Sequence, residues 1–321
     1  MVKALTRAAV SAAYPGASRA RMAILIFHRV LPEPDPLLPD LPDVSRFRWQ
    51  MQLLADYFHP LPLAEAAERL AAGDLPARSV CVTFDDGYRD NLDCALPVLE
   101  ELGIPATVFV APGFLGDGMM FNDRVIEGVR AAGGPELDLT DLGLGRYPVR
   151  TVEERRAAID QLLPALKYLP EAERERRARA VAERAGYRPA EPLMLDADGV
   201  RAMAARGVTI GAHTLTHPIL AETADAIAAD EIAASKRALE EMTGQPVTLF
   251  AYPNGRPGRD YGDRHVQMVM DAGFRAAVST RWAPATRDSD PLQLPRFTPW
   301  DVTPGRFLAR LLANGFGLVR P

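Results

Sequence analysis

Cysteine is scarce: Cys81 and Cys94 are the only two in 321 residues. A disulfide framework in a chain of this size needs more, so two reduced, buried thiols are expected. Neither cysteine has ligand spacing, which excludes a zinc-finger reading. No run reaches the roughly 18–20 apolar residues of a membrane span, so no transmembrane segment is expected. Lys3 and Arg7 precede a stretch from Ala8 to Ala17 that is rich in small residues and broken by Pro15 and Gly16. That stretch lacks the continuous apolar core of a signal peptide. A cytoplasmic location is therefore expected, with a short amphipathic N-terminus able to rest on a membrane surface. A strong surplus of one charge is also missing. The net charge of −5 exerts no pull towards nucleic acid or anionic lipid. Runs such as Glu171 to Arg179 mix both signs and read as a solvated helix face. No internal repeat is evident.

What is present is an ordinary globular composition, 48% hydrophobic and 25% charged, in a chain long enough for one large core. Short apolar runs at Ala23–Phe27, Ser79–Phe84, Ala106–Val110, Val208–Ala212, Val247–Tyr252, Phe274–Ser279 and Leu292–Phe297 read as buried strands. Between them, helices are expected at Ser45–Tyr57 (Ser45 as N-cap, with Phe47, Met51 and Leu54 at helical spacing), Leu63–Ala72, Asn91–Leu102, Ala226–Met242 and Val266–Ala272, with Phe307–Ala313 closing the chain. Leu31–Pro42 carries five prolines and reads as an extended loop. From about 114 to 200 no buried strand is legible. Val152–Leu166 and Ala172–Ala185 have helical period there. The fold class is α/β: short parallel strands covered by helices, with a helical insertion.

Three clusters carry candidate chemistry, each just past a strand end, where active sites of α/β barrels collect. In Thr83-Phe84-Asp85-Asp86-Gly87, two adjacent carboxylates follow a buried strand, which is costly unless they are used or paired; an Asp-Gly turn or helix cap is the bland alternative. The chain has five histidines, and His213 and His217 lie four apart, a frequent metal half-site spacing, with two unrelated loop histidines as the alternative. Phe250-Ala251-Tyr252-Pro253-Asn254-Gly255 ends a strand and by itself reads as a turn.

In this order, on alternating strands and helices, the three clusters resemble the polysaccharide deacetylase (NodB-like, carbohydrate esterase 4) family. The resemblance covers about residues 22–113 and 193–300. It implies a distorted (β/α)7-type barrel over residues 1–321, taken as a single domain with the insertion at about 114–200. It also implies a metal-dependent hydrolase that removes N-acetyl groups from amino sugars. By the motifs, Asp85 matches the general base, and Asp86, His213 and His217 match the ligands of a divalent metal, with Zn2+ the expected ion. The third motif matches in part. Where the family has arginine this chain has Ala251, and Arg296 in Leu294-Pro295-Arg296-Phe297 is the candidate to orient the base instead. Tyr252, Pro253 and Asn254 match the substrate and oxyanion segment, the donor being the backbone N–H of Asn254. The family's C-terminal Leu-x-His is absent. His28, closing the first strand, resembles the acid histidine of the poly-N-acetylglucosamine deacetylase branch. First and last strands are neighbours in a closed barrel, so either terminus can fill that place. His59 and His265 read as structural.

The implied substrate is an N-acetylated glycan or a glycan-lipid precursor. Pro36–Pro42 and Gly113–Asp123 are expected to shape its groove, and Phe114, Met119, Met120, Phe121 and Trp300 are candidate apolar walls, with core packing the alternative for each. Two other readings stay open: a related amide hydrolase, such as a deformylase of a lipid-linked sugar, and a non-catalytic carbohydrate-binding relative.

Overall fold

The computed structural model describes residues 2–189 and 191–319. The chain begins with helix α1 (Val2–Ala13), strand β1 (Arg21–Phe27), α2 (Val44–Tyr57), β2 (His59–Pro60), α3 (Leu63–Ala72) and β3 (Ser79–Phe84). A π-helical turn at Asn91–Ala95 runs into α4 (Leu96–Leu102), and β4 (Ala106–Val110) follows. Next come α5 (Phe121–Ala131), β5 (Glu136–Leu139), β6 (Gly145–Pro148), α6 (Val152–Lys167) and α7 (Glu171–Arg184). The chain then continues through α8 (Ala197–Ala205), β7 (Thr209–Ala212), α9 (Asp225–Thr243), β8 (Leu249–Ala251), α10 (Asp263–Asp271), β9 (Ala276–Val278), β10 (Ala285–Thr286) and α11 (Pro304–Gly315).

Two compact units are present. One comprises residues 1–34, 40–115 and 195–321 and contains the main sheet, in the order β10-β1-β3-β4-β7-β8-β9 with β2 added to β3. All of its pairs are parallel except β10 against β1. Helices in the crossovers make this the expected (β/α)7-type barrel. The segment read as a last strand differs from expectation. It opens with a 3-10 turn at Pro291–Gln293 and then makes only isolated bridges, Leu294 to Val278 of β9 and Phe297 to Leu25 of β1. Pro295 between them has no N–H to extend a ladder. The segment stitches the seam between the two ends of the curled sheet, and so delivers Arg296 to its interior.

Strand alternation decides what faces where. Ala23, Leu25, Val80, Val82, Ala106, Val108, Ile210, Ala212, Phe250 and Ala277 belong to the cluster packed under the helices. The opposite parity, with Met22, Ile24, Cys81, Phe109, Leu249, Ala251, Ala276 and Val278, forms the inner cluster, to which α3 adds Leu63, Ala66 and Leu70. The registers Ile26↔Thr83, Thr83↔Thr107 and Phe109↔Gly211 carry this inner parity around the barrel. One step beyond each strand end, it falls on Asp85 and His213. Inside, Phe109 fills the space that Gly211 leaves: a Cβ on Gly211 would lie 2.4 Å from the Phe109 ring.

Some local readings change. The cap of α2 is Asp43, whose carboxylate accepts from Arg46 N at 2.6 Å, and not Ser45, which lies within the first turn. Phe47, Met51 and Leu54 are buried as expected. Cys81 is buried but Cys94 is only half-buried.

The second unit, residues 35–39 and 116–194, holds α5, α6, α7 and an antiparallel hairpin of β5 and β6 that the sequence rhythm does not reveal. Leu137 and Leu139 of that hairpin join Val125, Val129, Ile159, Leu162 and Val181 in its own core. Alpha-helix α5 approaches α7 closely at Gly128, where a Cβ would meet the Ala182 backbone at 3.1 Å. Arg155 of α6 donates to the last carbonyls of α5, at Val129, Arg130 and Ala132. Met119 and Met120 are buried.

Candidate functional site

The end of β3 turns sharply. Asp86 has φ 78° and Gly87 φ 86°, so the chain leaves the sheet through two left-handed residues, and the adjacent carboxylates of Asp85 and Asp86 are both buried. Asp85 is paired: Arg296 Nη1 donates to its Oδ1 at 2.7 Å and Nη2 to its Oδ2 at 2.7 Å. The guanidinium is fully buried and also donates to Ser279 O at 3.1 Å and Thr83 Oγ1 at 3.2 Å. Its carbon lies 5.7 Å from the Phe109 ring centroid. Asp85, Thr83 and Phe109 share the inner-face parity, and Ser279 adds a backbone carbonyl, which makes the two-pronged pair a fixed feature of the barrel interior.

His213 ends β7 and is buried. Its Nδ1 lies 2.7 Å from Ala251 O. A carbonyl can only accept, so the proton sits on Nδ1 and the Nε2 lone pair is directed away. The chain then makes a tight loop with left-handed residues at Thr214 (φ 58°) and His217 (φ 55°), where His217 N donates to Thr214 Oγ1 at 3.1 Å. The two imidazole centroids come within 4.7 Å.

These elements converge on Asp86. Its Oδ1 is 3.4 Å from His213 Nε2 and 3.6 Å from His217 Nε2, and ligand atoms of the three residues all lie within 4.8 Å of one another. Asp86 Oδ1 is buried without a hydrogen-bond partner among the described residues. A buried carboxylate oxygen facing an imidazole lone pair sets two acceptors against each other, and a cation between them removes that conflict. The oxygen-plus-imidazole donor set is one that divalent ions accept, so the residues fit a metal. The electrostatics agree. Burial alone would raise the Asp86 carboxyl, but the His213, His217 and His28 rings hold it well below the usual carboxylate range. Burial likewise opposes ionisation of Asp85, and Arg296, then His213 and His28, outweigh it and hold this carboxyl low as well. For His213, burial works against a charged ring, and Asp85 and Asp86 win, raising its pKa above the ordinary histidine value. The pocket thus calls for positive charge beyond that of Arg296.

The third cluster divides. Asn254 is left-handed (φ 59°), Gly255 follows at φ 73°, and the turn is pinned by Thr280, which donates its hydroxyl to Asn254 O and its N–H to Gly255 O, both at 2.8 Å. A Cβ at Gly255 would lie 2.9 Å from the Thr280 side chain. The Tyr252 side chain does not line a binding site. It is buried among core residues, stacked on Tyr261 at 3.7 Å, with its hydroxyl donating to Leu292 O. The outward strand parity that places Phe250 under the helices places Tyr252 there too. Pro253 is buried as well.

His28 follows β1 with an exposed side chain, close enough for its charge to act on both Asp85 and Asp86. Its loop is held from the π-helical turn: Asn91 Nδ2 donates to His28 O at 2.8 Å, and Asp90 accepts from Val30 N at 3.1 Å and Arg29 Nε at 2.7 Å. Sequence reasoning missed Asp90 and Asn91. Their signal is an adjacent polar pair at the start of a helix, close behind the Asp85-Asp86-Gly87 turn. His265 is buried in α10, its Nδ1 accepting from Gly262 N at 3.0 Å, and His59 is exposed on β2. Trp300 is half exposed and lies 5.0 Å from Trp282, centroid to centroid.

Comparison with known proteins fits this geometry. The family profile of polysaccharide deacetylases matches residues 72–135 and 156–277. YxkH of Bacillus subtilis, which bears the same family name, is 22% identical over 287 residues, covering 89% of this chain and 73% of that one. Among solved structures, the deacetylase PplD of Streptococcus pyogenes, in complex with acetate, superposes with a TM-score of 0.60 at 20% identity, over 92% of this chain and 98% of that one. IcaB from Ammonifex degensii gives 0.58 at 19% identity, over 92% and 97%. These two share the barrel fold.

Proposed function

Because this chain belongs to the polysaccharide deacetylase family, we propose that it hydrolyses the N-acetyl amide of amino-sugar units in a glycan or glycan precursor, with a divalent metal, Zn2+, held by Asp86, His213 and His217. The observation that carries this reading is Asp86 Oδ1, buried without a hydrogen-bond partner among the described residues and facing two imidazoles, beside a second carboxylate held in place by Arg296.

Asp85 takes the proton of the attacking water. The two N–H bonds from Arg296 keep its carboxylate ionised and aimed, so its orientation is fixed before substrate arrives. A divalent ion held by Asp86, His213 and His217 would supply Lewis acidity for the amide carbonyl and for a water, whose lowered pKa would suit a base as acidic as Asp85. The backbone N–H of Asn254 donates to the oxygen as it becomes anionic, and a side-chain change there leaves this donor intact. His28 gives its proton to the sugar nitrogen as the C–N bond breaks. The water oxygen ends in acetate and the sugar leaves as a free amine.

The test is metal content together with acetate release from N-acetylglucosamine oligomers, for the native chain, Asp85→Asn and His213→Ala. The native chain is expected to hold metal and release acetate. Asp85→Asn should keep the metal and lose roughly 100- to 10,000-fold in rate, and His213→Ala should lose both. A native chain that binds metal yet releases formate from an N-formyl sugar, and no acetate, replaces the acyl group in this reading. A native chain that binds no metal removes its basis.

A further inference from the structure

The loop between the two histidines has an unusual demand. Thr214 and His217 both adopt left-handed backbone, a conformation that side chains other than glycine resist. The N–H groups of the residues between them, Leu215 and Thr216, face α9. There Glu231 accepts from Leu215 N, from Thr216 N and from Thr216 Oγ1, each at 2.8 Å. Helix α9 supplies a rigid base for that carboxylate, because Ala228, Ile232 and Ser235, at helical spacing around Glu231, are buried. On the other side of the loop, Leu215 O accepts from Gly113 N at 2.8 Å, an approach that a Cβ on Gly113 would block at 2.5 Å. One ionised acceptor on adjacent N–H groups is the strong kind of hydrogen bonding, and here it is spent on a loop with no core of its own.

The structure assigns Glu231 as the positioning residue of the metal set: it holds the 214–217 loop in the shape that turns both imidazole Nε2 atoms towards Asp86. It touches neither ion nor substrate. It acts on the histidines as outer partners of metal ligands generally do, by fixing orientation in advance. This inference rests on the reading of Asp86, His213 and His217 as ligands, and goes beyond it by naming what sets their geometry.

The experiment is a Zn2+ titration of the full chain against a chromogenic chelator, for the native protein, Glu231→Gln and Thr216→Val, with the fold of each metal-free protein followed by circular dichroism and its thermal midpoint. Glu231→Gln keeps the size of the side chain and can leave one oxygen on the two N–H groups and its NH2 on the Thr216 hydroxyl, but it removes the charge that makes these bonds strong. It is expected to weaken Zn2+ affinity about 10- to 100-fold while the metal-free protein stays folded. Thr216→Val removes one of the three bonds and should weaken it less, in the same direction. The double variant should bind no more weakly than Glu231→Gln alone, because both act on one network. A purely structural role would lower the thermal midpoint and leave affinity unchanged. The proposal fails if folded Glu231→Gln binds within about twofold of the native protein, against the tenfold or more expected of an outer partner. If Glu231→Gln does not fold, Thr216→Val decides, and unchanged affinity there overturns the proposal equally. A native protein without Zn2+ affinity overturns the ligand reading itself, and this inference with it.

Discussion

In the unit formed by residues 35–39 and 116–194, the described left-handed residues are Gly116, Gly143, Gly145 and Gly186. At the ends of the barrel strands they are also Asp86, Thr214, His217 and Asn254. Glycine takes this backbone without steric penalty, whereas other residues there cost of order 1–3 kcal/mol each. The treatment of charge divides the same way. In the 116–194 segment, pairs such as Arg176–Glu173 and Arg184–Asp141 lie on the surface, while in the barrel Arg296 and Asp85 meet in its buried interior. The described left-handed positions of the second unit all fall to glycine, whereas the barrel unit also gives this backbone to Ala17 and Arg78 and, in a cluster of four, to Asp86, Thr214, His217 and Asn254. Such strain persists only where surrounding contacts over-determine it. Here those contacts are Glu231 and Gly113 on the histidine loop, Thr280 on the Asn254 turn, and Asp90 and Asn91 on the loop carrying His28.

The comparison can be broken most forcefully at the ion pairs. Arg296→Ala leaves Asp85 as a buried charge without its partner and is expected to cost about 3–5 kcal/mol, whereas Arg176→Ala on α7 should cost less than about 1 kcal/mol. Thermal or urea unfolding separates the two. Arg296→Lys retains charge but loses the fork, so acetate release should fall while the fold survives; an unchanged rate would show that orientation of Asp85 does not depend on the guanidinium. Next in size is Gly211→Ala. The added methyl meets the Phe109 ring at 2.4 Å, so overpacking of about 1–3 kcal/mol is expected, with displacement of the ring beneath Arg296. Smaller again is Asn254→Gly. It relieves a left-handed residue and should raise stability by about 1 kcal/mol. It keeps the backbone N–H, so the rate should fall far less than the roughly 100- to 1,000-fold expected for loss of an oxyanion donor. A loss of that size would assign the role to the Asn254 side chain instead.

Much of the barrel was legible from sequence because its strands are short, apolar and separated by helices of clear period. The strand Ser79–Phe84 and the helix Leu63–Ala72, stopped at Gly73, match residue for residue. The hairpin of β5 and β6 was not legible, because only Leu137 and Leu139 of its residues are buried and four-residue strands give too few alternations to stand out. The last barrel segment was read as a strand because Leu294 and Phe297 are apolar, yet Pro295 limits it to single bridges. At the site, Asp85, Asp86, His213 and His217 announce themselves by motif and spacing, and Arg296 by its position after a strand-like run. Glu231, Asp90 and Asn91 do not, because their work depends on loops distant in sequence. A charged residue set among the buried positions of α9 was the available signal for Glu231. Tyr252 shows the opposite failure: motif neighbourhood suggested the site, and strand parity turned the side chain into the core.

The smallest expected effect tests whether the division between the regions extends to function. Helix α6 starts with a capping box. Thr151 Oγ1 accepts from Glu154 N at 3.2 Å, and Glu154 Oε2 accepts from Thr151 N at 3.2 Å and from Arg150 N at 2.7 Å. Thr151→Ala removes one half of this exchange, leaving Glu154 N to solvent, and at so exposed a site should cost about 0.5–1 kcal/mol. The loss should register as faster amide hydrogen exchange in the first turn of α6, which frays once its N-terminal donors lack an acceptor. Neither Thr151 nor Glu154 belongs to the candidate site, so Zn2+ affinity and acetate release should stay at native values. If exchange quickens and both activities hold, low-cost construction in the second unit is independent of the chemistry. If acetate release falls while Zn2+ still binds, the order of α6 matters to substrate handling, and the separation drawn here between a strained centre and an indifferent remainder gives way.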